Sequence, residues 1–258
     1  MEIQTPTFTP QTTAVEPLPE PRFEQADLAL SFGDYDQALK LYNGTPPMNT
    51  DEYRAAALFG KGLTQYKQGD FFHARQTLDA LGNTYPQSLP ALRSTYLLGL
   101  MDLEQDLPES ALADFQAYLK ARPEILDADV YEQVGDLYAS QGKLQEALAA
   151  YSQAYLASTL GDNAAVALKV ADMYTQTNQP ELALSIYQEL YHKSDDDYLK
   201  AQADLLMGRI RIAQGDLEGG FNNYQDAVNN YPLAYDSYSA LSALVEAEQP
   251  VDELQRGL

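Results

Sequence analysis

YEQVGDLYASQGKLQEALAAYSQA, Tyr131 to Ala154, reads as two helices joined by a tight turn. Gly142 stands at the junction, a residue type that tolerates the left-handed conformation ending a helix. Five residues later Ala147 opens the second helix, and Tyr151 follows one turn along the same face. Gly135, twelve residues before Ala147, is a point where two helices can approach closely, with the Tyr151 ring filling the space beside it.

The same arrangement recurs along the chain. The small residue opening each second helix appears at Ala38, Ala74, Ala111, Ala147, Ala183 and Gly220, spaced by 36, 37, 36, 36 and 37 residues. Twelve residues before these markers stand Ala26, Gly62, Gly99, Gly135, Ala171 and Gly208, and four residues after them Tyr42, Leu78, Phe115, Tyr151, Tyr187 and Tyr224. The turn position, five before each marker, holds Gly33, Gly69, Asp106, Gly142, Asn178 and Gly215. Pro108, Pro180 and Pro250 fall just after turns, where a first helical residue needs no N–H. Pro86, Pro123 and Pro232 fall twelve residues after their markers and stop the second helix.

Over about residues 22 to 250 this pattern resembles the tetratricopeptide (TPR) family, with Gly135, Tyr138, Ala147, Tyr151 and Ala154 in the family's places. Individual copies depart from it. Gln65, Asp102 and Arg211 replace the first-helix aromatic supplied elsewhere by Tyr138 and Tyr174, and Thr50, Thr159 and Asp195 replace the terminal proline. The period exceeds the usual length of about 34 residues, an excess most simply placed in the loops between hairpins. The resemblance implies an all-α fold, an alpha-alpha superhelix or solenoid of about six hairpins plus a partial seventh. The seventh first helix is expected near Ala234 to Ala247, with a truncated end after it.

Two domain assignments follow: residues 1–21 as a Thr/Pro-rich, disordered linker and 22–258 as the solenoid. The linker lacks the basic start and apolar stretch of a signal peptide. Such a tether often joins an N-terminal membrane anchor to an extracytoplasmic domain, which favours the cell envelope over the cytoplasm. The apolar fraction of 45% is enough for a continuous core, and no run approaches the length of a membrane span. With 38 acidic against 16 basic residues the formal charge is -22, which repels nucleic acid and anionic lipid surfaces. The absence of cysteine excludes disulfides, thiolate metal sites and cysteine nucleophiles.

No catalytic, cofactor-binding or metal-ligating constellation stands out. His73 and His192 are far apart and lack companions at metal-ligand spacing. Asp195, Asp196 and Asp197 lack the alternating ligands and glycine of a calcium loop and read as a solvated connection between hairpins. The string GLMD, Gly99 to Asp102, is similar to a tetrapeptide in the catalytic domain of lytic transglycosylases. Here Gly99 has a packing position of the repeat, and Glu109-Ser110 opens a helix after Pro108.

In the family the first helices line a concave groove. The resemblance therefore implies groove residues at Phe23, Phe59, Leu63, Tyr66, Tyr96, Leu100 and Leu103, an apolar and aromatic set, followed by the acidic Glu132, Asp136 and Asp172 and by Arg209. The competing expectation is that Phe59, Tyr66 and Tyr96 merely pack between hairpins, or are covered by the linker or by a C-terminal part beyond this chain. A protein or peptide partner with apolar and basic character would match this groove. An acidic chaperone tail would meet like charge at Glu132, Asp136 and Asp172.

The expected function is a protein–protein interaction scaffold that binds a peptide or partner segment, without an enzymatic activity of its own. The alternative is the helical, non-catalytic superstructure of a bacterial cell-wall lytic transglycosylase whose catalytic domain lies beyond this chain, with cell-wall components as the parent enzyme's partners. An envelope lipoprotein that assists assembly is a third reading.

Overall fold

A computed structural model describes residues 23–44, 50–121, 126–157 and 163–251. The Thr/Pro-rich stretch before residue 22, Pro123, Thr159 and the C-terminal residues after Val251 lie outside the described residues. The chain divides into two compact units, Met1–Ser94 and Thr95–Leu258.

The first unit contains α1 (Glu24–Ser31), α2 (Tyr35–Tyr42), α3 (Asp51–Lys67), α4 (Phe71–Thr84) and the start of α5 (Leu89–Glu104). The second contains the rest of α5, α6 (Pro108–Ala121), α7 (Asp127–Ser140), α8 (Leu144–Ala157), α9 (Ala164–Gln176), α10 (Pro180–Lys193), α11 (Asp197–Ala213), α12 (Leu217–Asn230) and α13 (Tyr235–Glu246). Successive helices pair as hairpins, so each unit is all-α and of the alpha-alpha superhelix class, with α13 the first helix of a seventh pair. Among the described residues no helix is long and apolar enough to cross a membrane.

Local chemistry sets the helix ends. Gly33, Gly69, Gly142 and Gly215 have φ between 70° and 88°, and Asp106 and Asn178 reach 58° and 60° without being glycine. All six turn positions expected from the repeat therefore adopt the left-handed conformation, and Glu248 does so after α13 with φ 57°. Asp34, Asp70 and Asp216 each accept a hydrogen bond from the backbone N–H three residues on, capping α2, α4 and α12. Pro108 and Pro180 begin α6 and α10, while α4 and α12 end before Pro86 and Pro232. Thr50, in the place of a terminal proline, caps α3. Asp196 caps α11, which gives the acidic triplet a structural role.

The small-to-large pairing makes the core of each hairpin. A β-carbon added at Gly62 would stand 2.5 Å from Leu78 Cδ2, and one at Gly99 2.5 Å from Phe115 Cε1. At Gly135 and Gly208 the corresponding approach to the Tyr151 and Tyr224 rings is 2.4 Å. Phe115 and Tyr118 are fully buried with Val130 and Val134 of the next hairpin. One hairpin thus completes its apolar core with its neighbour, as repeat stacking requires. The degenerate positions carry buried polar groups: Gln65 accepts from Thr77 Oγ1 at 2.7 Å, and Asp102 is wholly buried.

Candidate interaction surface

The first-helix residues eleven before each marker are not independent of the core. Tyr42 donates from its hydroxyl to Asp27 Oδ1 at 2.5 Å, and Tyr151 donates to Asp136 Oδ1 at 2.7 Å. Arg209 hydrogen-bonds the Tyr224 hydroxyl, and Asp172 places its charge near Tyr187. Where the large core residue is Leu78 or Phe115, which has no hydroxyl, the corresponding surface position is Leu63 or Leu100. The surface position is thus charged in the four hairpins with a tyrosine beneath it and apolar in the two without, and in three of the four it hydrogen-bonds that tyrosine.

These contacts leave their mark on the tyrosines. Burial, reinforced by the Asp27 carboxylate, raises the Tyr42 hydroxyl well above its ordinary value. Burial and Asp136 do the same for Tyr151. Tyr187 is pushed up to about 12 by burial and by the Asp172 charge, against an opposing hydrogen bond with Thr175. For Tyr224, burial outweighs the lowering effect of Arg209.

In the second unit Glu132 and Asp136 on α7 do not face solvent as free anions. Lys169, from α9 of the following hairpin, lies 2.8 Å from Glu132 Oε1 and 2.6 Å from Asp136 Oδ1, with its Nζ 5.4 Å from the centre of the Tyr151 ring. Burial pulls the Lys169 ammonium down, but its bonds to Asp136 and Glu132 outweigh this and hold it above the ordinary lysine value. The chain itself thus supplies the cation that the sequence led us to expect from a ligand. A signal for this existed: Lys169 is fourteen residues before Ala183, and Gly60, fourteen before Ala74, likewise sits against the preceding tyrosine ring, that of Tyr42. Asp172 remains exposed, with Gln176 Nε2 donating to it at 2.7 Å, and Arg209 is exposed.

Within the apolar set Phe23 stands apart, and the other six residues are alike partly exposed. Phe23 is only 9% exposed and packs on the Tyr42 and Tyr53 rings, so it is a core residue of the first unit and leaves the surface set. Tyr96 lies 5.9 Å from the Phe115 ring and 6.1 Å from Tyr118, while Leu100 and Leu103 pack against the same core. Burial, with the Asp129 charge, raises the Tyr96 hydroxyl. On α3, Phe59, Leu63 and Tyr66 share one face at successive helical turns and are partly exposed, as Tyr96, Leu100 and Leu103 are. Tyr66 is held from one side by Phe71, 5.9 Å between ring centres, with Lys67 Nζ 5.5 Å from its ring.

The remaining candidates take ordinary places. His73 and His192 are both exposed, and His73 Nδ1 lies 2.7 Å from the Asp70 carboxylate in the first turn of α4. Gly99 is the close-packing residue of α5, and Glu109 and Ser110 are exposed at the start of α6. Among the described residues no three His, Asp or Glu side chains are grouped as metal ligands.

Comparison with known proteins agrees with this geometry. A model for a tetratricopeptide repeat-like domain matches residues 47–174, and one for a tetratricopeptide repeat matches residues 202–234. No curated protein matches the chain in sequence. Among solved structures, the C-terminal part of a TPR repeat-containing protein from Cytophaga hutchinsonii is similar with a TM-score of 0.62 at 13% identity, covering 81% of this chain and 78% of its own. PilF of Pseudomonas aeruginosa gives a TM-score of 0.55 at 15% identity, covering 86% of this chain and 95% of its own. MamA gives 0.53 at 17% identity, covering 65% and 92%. These likenesses establish the fold, and with the two repeat models and the turn and packing positions found in every hairpin they place the chain in the tetratricopeptide-repeat family.

Proposed function

We propose that this chain is a protein-interaction scaffold and that the α3 face of Phe59, Leu63 and Tyr66 is a docking surface for an apolar segment of another protein. Repeat arrays of this family present extended surfaces and bind partners without transforming them. The supporting observation is the arrangement on α3, where Phe59, Leu63 and Tyr66 lie on one face at successive turns and each keeps part of its apolar surface accessible. Anchors at such spacing fit an amphipathic helix or a short extended segment.

The partner's basic character enters through the whole chain. Lys169 already neutralises much of the Glu132 and Asp136 charge, so a basic ligand has little to gain there. A formal charge of -22 nevertheless attracts positively charged partners and raises their encounter rate, an effect that salt screens.

Site-specific photo-crosslinking tests this reading. A crosslinker placed at Leu63 is expected to capture a partner that one at Gln76, exposed on α4, does not. Equal capture from both positions, or none from Leu63, contradicts it.

A further inference from the structure

The α11–α12 hairpin contains a polar pair that the repeat does not require. Asp204 and Asn223 are 2% and 8% exposed, and Asn223 Nδ2 donates to Asp204 Oδ1 at 2.9 Å. The other two oxygens, Asp204 Oδ2 and Asn223 Oδ1, are both buried and neither has a hydrogen-bond partner among the described residues. In the preceding hairpin the equivalent positions are Ala167 and Ile186, an apolar pair.

Two buried acceptors on groups that already share one hydrogen bond form an incomplete arrangement. One proton completes it. Added to Asp204 Oδ2, it gives an O–H that can donate to Asn223 Oδ1, closing a two-bond carboxylic acid–amide ring and removing a buried charge. We infer that Asp204 and Asn223 form an acid-closed clasp between α11 and α12, joined by one hydrogen bond when Asp204 is ionised and by two when it is protonated.

The surroundings favour the protonated form. Burial is the largest influence on Asp204 and pushes its carboxyl up to about 6. Asn223 opposes this by donating to the carboxylate, Asp226 on α12 adds to the rise, and Arg211 on α11 opposes it. From α10 the Tyr191 hydroxyl faces the Asp204 charge while accepting from Tyr231 at 3.0 Å, and none of the charged groups acting on Asp204 comes from α13. The sign follows directly. A carboxyl raised in the folded state adds stability that is complete below its unfolded value near 4 and is lost as pH rises through about 6.

The test is a carbon-13 NMR titration of the full chain at the Asp204 carboxyl, with the Asn223 side-chain amide followed in parallel. The expected result is a shared midpoint near 6, with the amide responding as the acid protonates. A carboxyl midpoint near 4, or an Asn223 amide that ignores it, overturns the clasp. The Asp204→Asn variant is a second, independent readout, because its amide supplies the missing donor at every pH. Urea unfolding should show its folded-to-unfolded ratio raised about tenfold or more over the parent near pH 8, with the advantage shrinking towards pH 5. A variant that is less stable at both values, or that fails to fold, counts against the inference.

Discussion

The Tyr151 hydroxyl donates to Asp136, and the same carboxylate receives Lys169 from the next hairpin. A single surface carboxylate thus links the core ring of α8, its own helix α7 and the neighbouring α9. Asp136 is one of the residues that the family resemblance implies for the groove, yet most of its hydrogen-bonding capacity is used within the chain.

Removing this link should cost stability in a coupled way. Tyr151→Phe is expected to lose roughly 1 kcal/mol, and Asp136→Ala more, because it leaves a half-buried hydroxyl and the Lys169 cation short of a partner. The double variant should lose less than the sum of the two. Urea denaturation followed by circular dichroism measures the difference, and strict additivity would mean that the two groups act independently.

Lys169→Met should destabilise the chain by leaving Glu132 and Asp136 as neighbouring anions. Salt screens that repulsion. The deficit in melting temperature is therefore expected to narrow at high salt. A deficit insensitive to salt would point to lost packing of the lysine stem.

Two glycines in helices should respond with opposite signs to the same substitution. Gly135→Ala places a methyl 2.4 Å from the Tyr151 ring and should cost roughly 1–3 kcal/mol. Gly82→Ala meets nothing within 4 Å and should gain up to about 1 kcal/mol from helix propensity. Chemical denaturation of both variants checks the assignment of Gly135 to close packing.

The turns permit a similar contrast. Asp106→Gly and Asn178→Gly relieve a left-handed conformation and should raise the melting temperature slightly, by up to about 1 kcal/mol in free energy for Asp106 and less for Asn178. Gly142→Ala, at φ 70°, should lower it. Thermal melts with all three variants would contradict the turn assignment if the signs were reversed.

The repeat made these packing and turn positions legible because each is fixed within one hairpin: Gly135 against Tyr151, Gly142 in its turn, Pro108 at a helix start. The surface was harder to read because its character depends on contacts between hairpins. Lys169 reaches Glu132 and Asp136 from the next hairpin, and Tyr96 turns towards Phe115 and Tyr118. Phe23, at the start of its hairpin, has the spacing of a surface residue but finds Tyr42 and Tyr53 close enough to bury it. Spacing identified which helix face these residues belong to, but the size and polarity of their neighbours decided whether that face remained open.

The most direct test of the scaffold reading is a quantitative capture experiment with the parent chain, Phe59→Ala/Tyr66→Ala and Leu182→Ala, all matched for helicity. Leu182 is exposed on α10 and serves as an apolar control away from α3. The account predicts that a protein held by the parent is retained by the Leu182 variant and released by the folded double variant. Retention by the double variant, or equal loss from both, would contradict the assignment of the α3 face as the docking surface.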